Sequence, residues 1–175
     1  GRVMNEIAHI MSDEEEAMAT FHIDRTHMMV VMGSTTLVTS LLAGEYINYR
    51  QILPTSWKSE VKLRRDDFIG AIERASLMAR EGKNNLLRLH MTEKEMTITA
   101  NAERGTALEH IPVSYSSEEF KIAFNARYLN DVIRNVDTDE ICMRFNSNVS
   151  PCIIAPLSGN QYTYLVLPVR LKAGE

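Results

Sequence analysis

Cysteine is scarce in this 175-residue chain, with only Cys142 and Cys152. The two stand on neighbouring apolar runs, where a disulfide is conceivable, but nothing points to export and two reduced core thiols are expected. No Cys-x-x-Cys pair occurs. The five histidines (His9, His22, His27, His90 and His110) show no metal-ligand spacing beyond a coincidental His22/His27, so no metal site is expected. No apolar run is long enough to cross a bilayer, and the N-terminus lacks the charged start, apolar stretch and cleavage site of a signal peptide, so the chain is read as cytoplasmic, without a membrane partner. An excess of one charge is lacking too. A net charge of −4 cannot coat nucleic acid, so any such contact has to come from a local basic face. Phosphate-cradling glycine loops and nucleophile elbows are also missing. Carboxylates such as Asp66, Asp67, Glu118 and Glu119 therefore have no constellation for acid–base work, and neither an enzyme nor a cofactor is expected.

What is present is ordinary globular material. Apolar residues make up 45% and charged residues 24%, far from a disordered composition, and the length suits one full domain plus part of another. Val3, Ile7, Ile10 and Met11 predict a helix over 3–11, closed by the acidic run Ser12–Glu16, which is read as a solvated turn. Strand-like segments follow at 18–24, 28–33 and 35–42. From Gly44 to Trp57 neither period is sustained, which marks an interdomain linker at 44–57. A strand at 58–64 leads to a helix over 66–81, striped by Phe68, Ile69, Ile72, Ala75, Ser76 and Ala79 and ended by Gly82. Strands are predicted at 86–91, 95–101, 106–115 and 118–124. Asn125 then caps a helix over 126–136 whose Leu129, Val132, Ile133 and Val136 fall at i, i+3, i+4 and i+7. Strands at 140–146, 151–156 and 162–168 finish the chain.

An internal repeat emerges. Arg2-Val-Met-Asn-Glu-Ile7 resembles Arg127-Tyr-Leu-Asn-Asp-Val132, and each copy opens a helix followed by three short strands. Residues 1–43 thus look like the second half of a domain of the kind that occupies 58–171, with 172–175 as a tail. Their apolar faces, Val3, Ile7 and Ile10 on the helix and Val30, Leu37 and Leu41 on the strands, are expected to be bare and to pair two copies of the chain.

Several segments resemble the bacterial DNA polymerase III beta subunit, the sliding-clamp family, in order and at the right intervals. They are Gly1–Ile10, Ser40-Leu-Leu-Ala-Gly-Glu-Tyr-Ile-Asn-Tyr-Arg-Gln-Ile-Leu-Pro54, Ile72-Glu-Arg-Ala-Ser-Leu-Met78, Met96-Thr-Ile-Thr-Ala-Asn101, Phe124-Asn-Ala-Arg-Tyr-Leu129 and Tyr164-Leu-Val-Leu-Pro-Val-Arg-Leu171. The passage from Ser40 to Pro54 is the most specific. The resemblance implies an α+β fold of the DNA-clamp type, with helices packed on one side of curved antiparallel sheets built from repeated helix-plus-strands halves. It implies half of the family's middle domain at 1–43 and a complete C-terminal domain at 58–171. The implied role is a processivity factor, a homodimeric ring that encircles duplex DNA without reading sequence. Through short peptides it tethers the clamp loader, repair factors and the catalytic part of the replicative DNA polymerase.

Carried over residue by residue, the peptide pocket would use Asn125, Tyr128, Val149, Pro151, Leu165, Val166, Leu167, Pro168, Val169 and Arg170, with Ile47, Gln51 and Ile52 from the linker. Ile47 and Gln51 stand where relatives often have proline and arginine, and Pro151 replaces a small polar residue, so peptide preference is expected to differ. The interface between subunits would use Leu77, Met78, Glu103 and Glu109, although Arg104, Gly105, Thr106 and Leu108 depart from the family's acidic pattern. Arg74, Arg127 and Arg134 would face DNA phosphates. An ordinary core strand explains Leu165–Val169 without the family, and a solvated helix face explains Arg127, Asp131 and Arg134 equally well. A peptide-binding scaffold unrelated to replication would share the apolar groove but not the linker motif.

Overall fold

A computed structural model of the protein describes residues 1–11, 18–82 and 85–171. The acidic run and the tail at 172–175 lie outside them. The chain divides into two compact units, Gly1–Asn48 and Tyr49–Glu175.

In the first unit a helix, α1 (Arg2–Ile10), precedes β1 (Ala19–Ile23), β2 (His27–Met32) and β3 (Thr35–Ser40), an antiparallel sheet in that order. Asp24 shapes the β1–β2 turn. Its Oδ1 accepts from the backbone N–H of Thr26 at 2.6 Å and of His27 at 2.7 Å, and these bonds hold the Asp24 carboxyl below its ordinary pKa. Gly33, at φ +57°, takes the left-handed conformation that the two-residue β2–β3 turn requires. The expectation of bare apolar faces needs correction. Ile7 and Val30 are buried, Val3 and Leu37 are partly covered, and only Ile10 and Leu41 are exposed. The middle of each stripe is already out of water, while Phe21 and Ile23, on the same face of the sheet as Val30, are exposed.

The second unit opens with a single helical turn, α2 (Tyr49–Ile52), inside the stretch read as linker. One turn falls below the length at which periodicity gives a signal. Then come β4 (Ser59–Arg64), α3 (Arg65–Glu81), β5 (Leu86–Met91), β6 (Glu95–Ala102), β7 (Gly105–Pro112), β8 (Ser114–Tyr115), β9 (Phe120–Asn125), α4 (Ala126–Arg134), β10 (Glu140–Phe145), β11 (Cys152–Pro156) and β12 (Tyr164–Val166). Two antiparallel sheets result, in the orders β12-β11-β10-β4-β8 and β7-β6-β5-β9.

A helix followed by a three-strand meander therefore occurs three times, as α1–β1β2β3, α3–β5β6β7 and α4–β10β11β12. Within the second unit the strand leading into each helix joins the other meander: β4 pairs with β10, and β9 with β5. That exchange welds the two halves into one domain. The predicted strand at 106–115 is two strands, because β7 ends at Pro112, which has no N–H for the ladder, and β8 then pairs with β4 in the other sheet.

The inner faces of both sheets and the two long helices share one core. Phe68, Ala71, Ile72, Ala75 and Ala79 of α3 and Leu129 and Ile133 of α4 are buried in it with Phe124, Met143 and Ile154. Alanines at i, i+4 and i+8 let α3 lie close to its neighbours. Gly82 ends the helix where a Cβ would stand 2.5 Å from the Asn101 carbonyl oxygen, so even alanine would force the helix end away from β6. The two cysteines are free and buried on opposite faces of one sheet: Cys152 lies in this core, and Cys142 in a smaller outer cluster. Asn125 caps α4 as read from the sequence, its Oδ1 accepting from the Arg127 N–H at 2.9 Å. Asn125→Ala is expected to cost about 1 kcal/mol, measurable as a lowered urea midpoint at unchanged slope.

Candidate functional site

Asn125, Tyr128, Val149, Pro151 and Leu165–Arg170 lie on strands, turns and the α4 start at the outer edges of the two sheets of the second unit. β12 and β9 are the outer strands of their sheets. After β12 the chain crosses from one to the other, and the Val169 N–H donates to the Ala123 carbonyl of β9 at 2.7 Å. Leu167–Arg170 is thus pinned beside the end of β9, from which Asn125 and α4 emerge. On its other side, Cys152 pairs with Val166, and extending that register sets Pro151 beside Leu167. Val149 projects from the β10–β11 turn, which Ser147 and Ser150 brace through hydroxyls 2.7 Å apart.

The result is an apolar group left open to solvent. Tyr128 is 57% exposed, Val149 53% and Leu167 62%, with Pro151, Leu165, Pro168 and Val169 partly covered around them. Val166 is different: it is buried and belongs to the core, as the ordinary-strand reading had it. Arg170 and Gln51 are exposed, as is Ile52 on α2. Ile47 is exposed and belongs to the first unit. Large apolar side chains held in the open by a rigid frame suit capture of apolar anchors from an extended peptide.

A second cluster involves α3 and β7, the other outer strand of the β7-β6-β5-β9 sheet. Leu77 and Leu108 are both exposed, whereas Met78 packs against the core. Leu108 alternates along β7 with Glu109, the residue that faces α3, so it is exposed on the other face of the sheet, beside Thr99 of β6. Glu103 is exposed in the β6–β7 turn. Glu109 turns inward, where both carboxylate oxygens accept from Arg74, at 3.1 Å from Nε and 2.7 Å from Nη2. The pairing engages a candidate interface residue with a candidate DNA-facing one.

Arg74 holds the Glu109 carboxyl below its usual range, first by hydrogen bonding and then by charge. A depressed carboxylate stabilises the fold above its unfolded pKa, and that contribution disappears as pH falls through the folded value. The difference in thermal midpoint between wild type and Glu109→Gln is therefore expected to be full at pH 6 and to shrink as pH drops below 4.5.

Between α3 and α4 lies a polar cleft of about 360 Å³ lined by Arg80, Arg127 and Arg134 with Ser76, Asn130 and Asp131. Arg134 is bonded to Glu73 at 2.9 Å. Asn130 donates to Ser76 at 2.9 Å, and its buried Oδ1 has no protein partner. Arg80 was missed in the sequence because it sits past the apolar stripe of α3, and only packing of the two helices brings it to Arg127. Three guanidinium groups in one cleft suit phosphate oxygens more than base edges. Among the described residues no group of His, Cys, Asp and Glu could hold a metal, and no helix is long and apolar enough to cross a membrane.

The beta sliding clamp of Staphylococcus aureus is 30% identical over 172 residues, which are 97% of this chain and 45% of that protein. The solved sliding clamp of Bacillus subtilis superposes with a TM-score of 0.78 at 28% identity, over 97% of this chain and 45% of its own. The DNA polymerase III beta subunit of Thermotoga maritima does so with a TM-score of 0.76 at 25% identity, over 97% and 46%. The chain thus spans less than half the length of the relatives it matches. Residues 50–170, nearly the whole second unit, match the C-terminal domain of the DNA polymerase III beta subunit, and the chain belongs to that family.

Proposed function

We propose that the protein of which this chain is a part is a DNA polymerase processivity factor, a sliding clamp that closes around duplex DNA as a homodimer and tethers the polymerase, the clamp loader and repair factors by short peptides. The family match supports the clamp. The observation that carries the tethering is the exposed Tyr128–Val149–Leu167 group, apolar surface held rigidly by the Val169–Ala123 bond. Asn125 and Tyr128 add polar atoms that can fix a peptide's orientation. Arg80, Arg127 and Arg134 face phosphates without reading bases, and topological closure makes strong contact unnecessary, in keeping with the modest net charge. The work is binding, not catalysis, and its place is the cytoplasm. A peptide-binding scaffold outside replication would leave the clamp-like passage from Ser40 to Pro54 without a purpose.

The full-length protein tests this directly. Loaded by the clamp loader onto nicked circular duplex, it is expected to stay bound at high salt and to be lost when the circle is linearised; equal loss from both forms would overturn the reading. The dimer contact has its own test. Leu77 near the end of α3 and the open edge of β7 form the contact surface in this reading, so Leu77→Glu in the full-length protein is expected to shift sedimentation from dimer toward monomer at micromolar concentration while leaving its thermal midpoint nearly unchanged.

A further inference from the structure

The linker stretch is strapped to the outer face of the sheet, opposite the core. Leu53 and Leu165 both pack against the cluster of Cys142, Ile153 and Ala155. Three residues on, the Ser56 carbonyl accepts from Asn146 Nδ2 at 2.9 Å, and the Lys58 N–H donates to the Phe145 carbonyl at 2.9 Å. Between these anchors Trp57 lies over the Arg144 guanidinium, 4.0 Å from carbon to ring centre. Arg144 is itself held by Glu60, Nε to Oε2 at 2.7 Å, and both of those side chains are about three-quarters covered. The strap carries α2, and with it Gln51 and Ile52. Its Leu53 packs on the same outer cluster as Leu165, in the strand that leads to Leu167.

We propose that the Trp57–Arg144–Glu60 stack is a positioning device for the peptide groove, seating Leu53 on the outer cluster that Leu165 also packs against and so fixing the α2 wall and the β12 floor in the arrangement that receives an apolar anchor. This rests on the groove reading given above. The chemistry suits the part. Glu60 sets the guanidinium plane, and the ring stacks on that plane as on a fixed platform, so the strap has a defined seat where a flexible linker would leave Gln51 and Ile52 adrift. Trp57 and Arg144 need touch no peptide to act in this way.

Trp57 is the single tryptophan of the chain, which makes its emission a direct reporter of the stack. A synthetic peptide copied from the replicative polymerase's clamp-binding segment is titrated into this chain and into Trp57→Ala, Trp57→Phe and Arg144→Gln, with affinity read by peptide anisotropy. Alongside, alkylation of Cys142 in the folded state is followed by site-resolved mass spectrometry. Peptide binding is expected to shift Trp57 emission in the wild type. Trp57→Ala and Arg144→Gln are expected to weaken binding about two- to fivefold, Trp57→Phe to restore most of it, and Cys142 to alkylate faster when the stack is lost. Wild-type affinity in Trp57→Ala, with Cys142 alkylating faster, would show a released strap that does not govern the groove and would overturn the proposal alone. No binding by any version, wild type included, would remove the groove reading and this proposal with it.

Discussion

Tyr128→Ala is expected to weaken binding of a clamp-binding peptide about 30-fold, the equivalent of about 2 kcal/mol for removal of an aromatic hot-spot residue. Tyr128 stands on the outer side of α4, off the buried stripe of Leu129 and Ile133, and more than half of it meets solvent. It contributes little to the folded state, so the variant should melt within about 0.5 kcal/mol of wild type. A binding defect without a stability defect separates a recognition residue from a packing residue. Val166→Ala should behave in the opposite way, since Val166 is buried in the core. Isothermal titration and urea denaturation of the two variants side by side read both halves of this expectation.

Ile7→Glu is expected to destabilise the first unit by at least about 3 kcal/mol, because it places a carboxylate where the structure has a side chain that is 2% exposed. A nine-residue helix on a three-stranded sheet has little stability in reserve. The far-UV signal of α1 should be lost, and amides of β1–β3 should exchange quickly, while the core around Phe124 and Ile133 stays protected. Leu42→Glu is the control: Leu42 is fully exposed, and its replacement should change stability by less than about 0.5 kcal/mol. The burial of Ile7 also means that Ile7→Glu cannot serve as a probe of association through this stripe, since loss of folding would hide any loss of pairing.

Elements whose signals are local were legible. Helix α4 combines a clean i, i+3, i+4, i+7 stripe with an Asn125 cap, and its start falls at the predicted residue. Helix α3 has its stripe and its terminal Gly82. The meanders could be read from alternating apolar residues and turn residues, and the match between Arg2–Ile7 and Arg127–Val132 exposed the repeat. What escaped was set by distant partners. Val113 gives no hint that the chain changes sheets there, because the partner of β8 is β4, far earlier in the chain. Arg74 and Glu109 are 35 residues apart, so a guanidinium counted toward DNA proved to be engaged with a carboxylate counted toward the dimer interface. Arg80 and the Trp57–Arg144 stack became visible only once α4 and β10 had been brought to them. For the groove, Tyr128 and Leu167 were named through the family resemblance. Their exposure, and the burial of Val166 in the core, are properties of the fold.

Titrating the polymerase's clamp-binding peptide into the isotopically labelled chain, with backbone amide shifts followed, shows whether the edge-to-edge junction of the two sheets is a peptide-binding groove. The largest changes are expected at Asn125, Tyr128, Val149 and Leu167, with smaller ones along Gln51–Leu53. Saturable shifts confined to the opposite side of the second unit, around Asp66, Gly70 and His110, would contradict it.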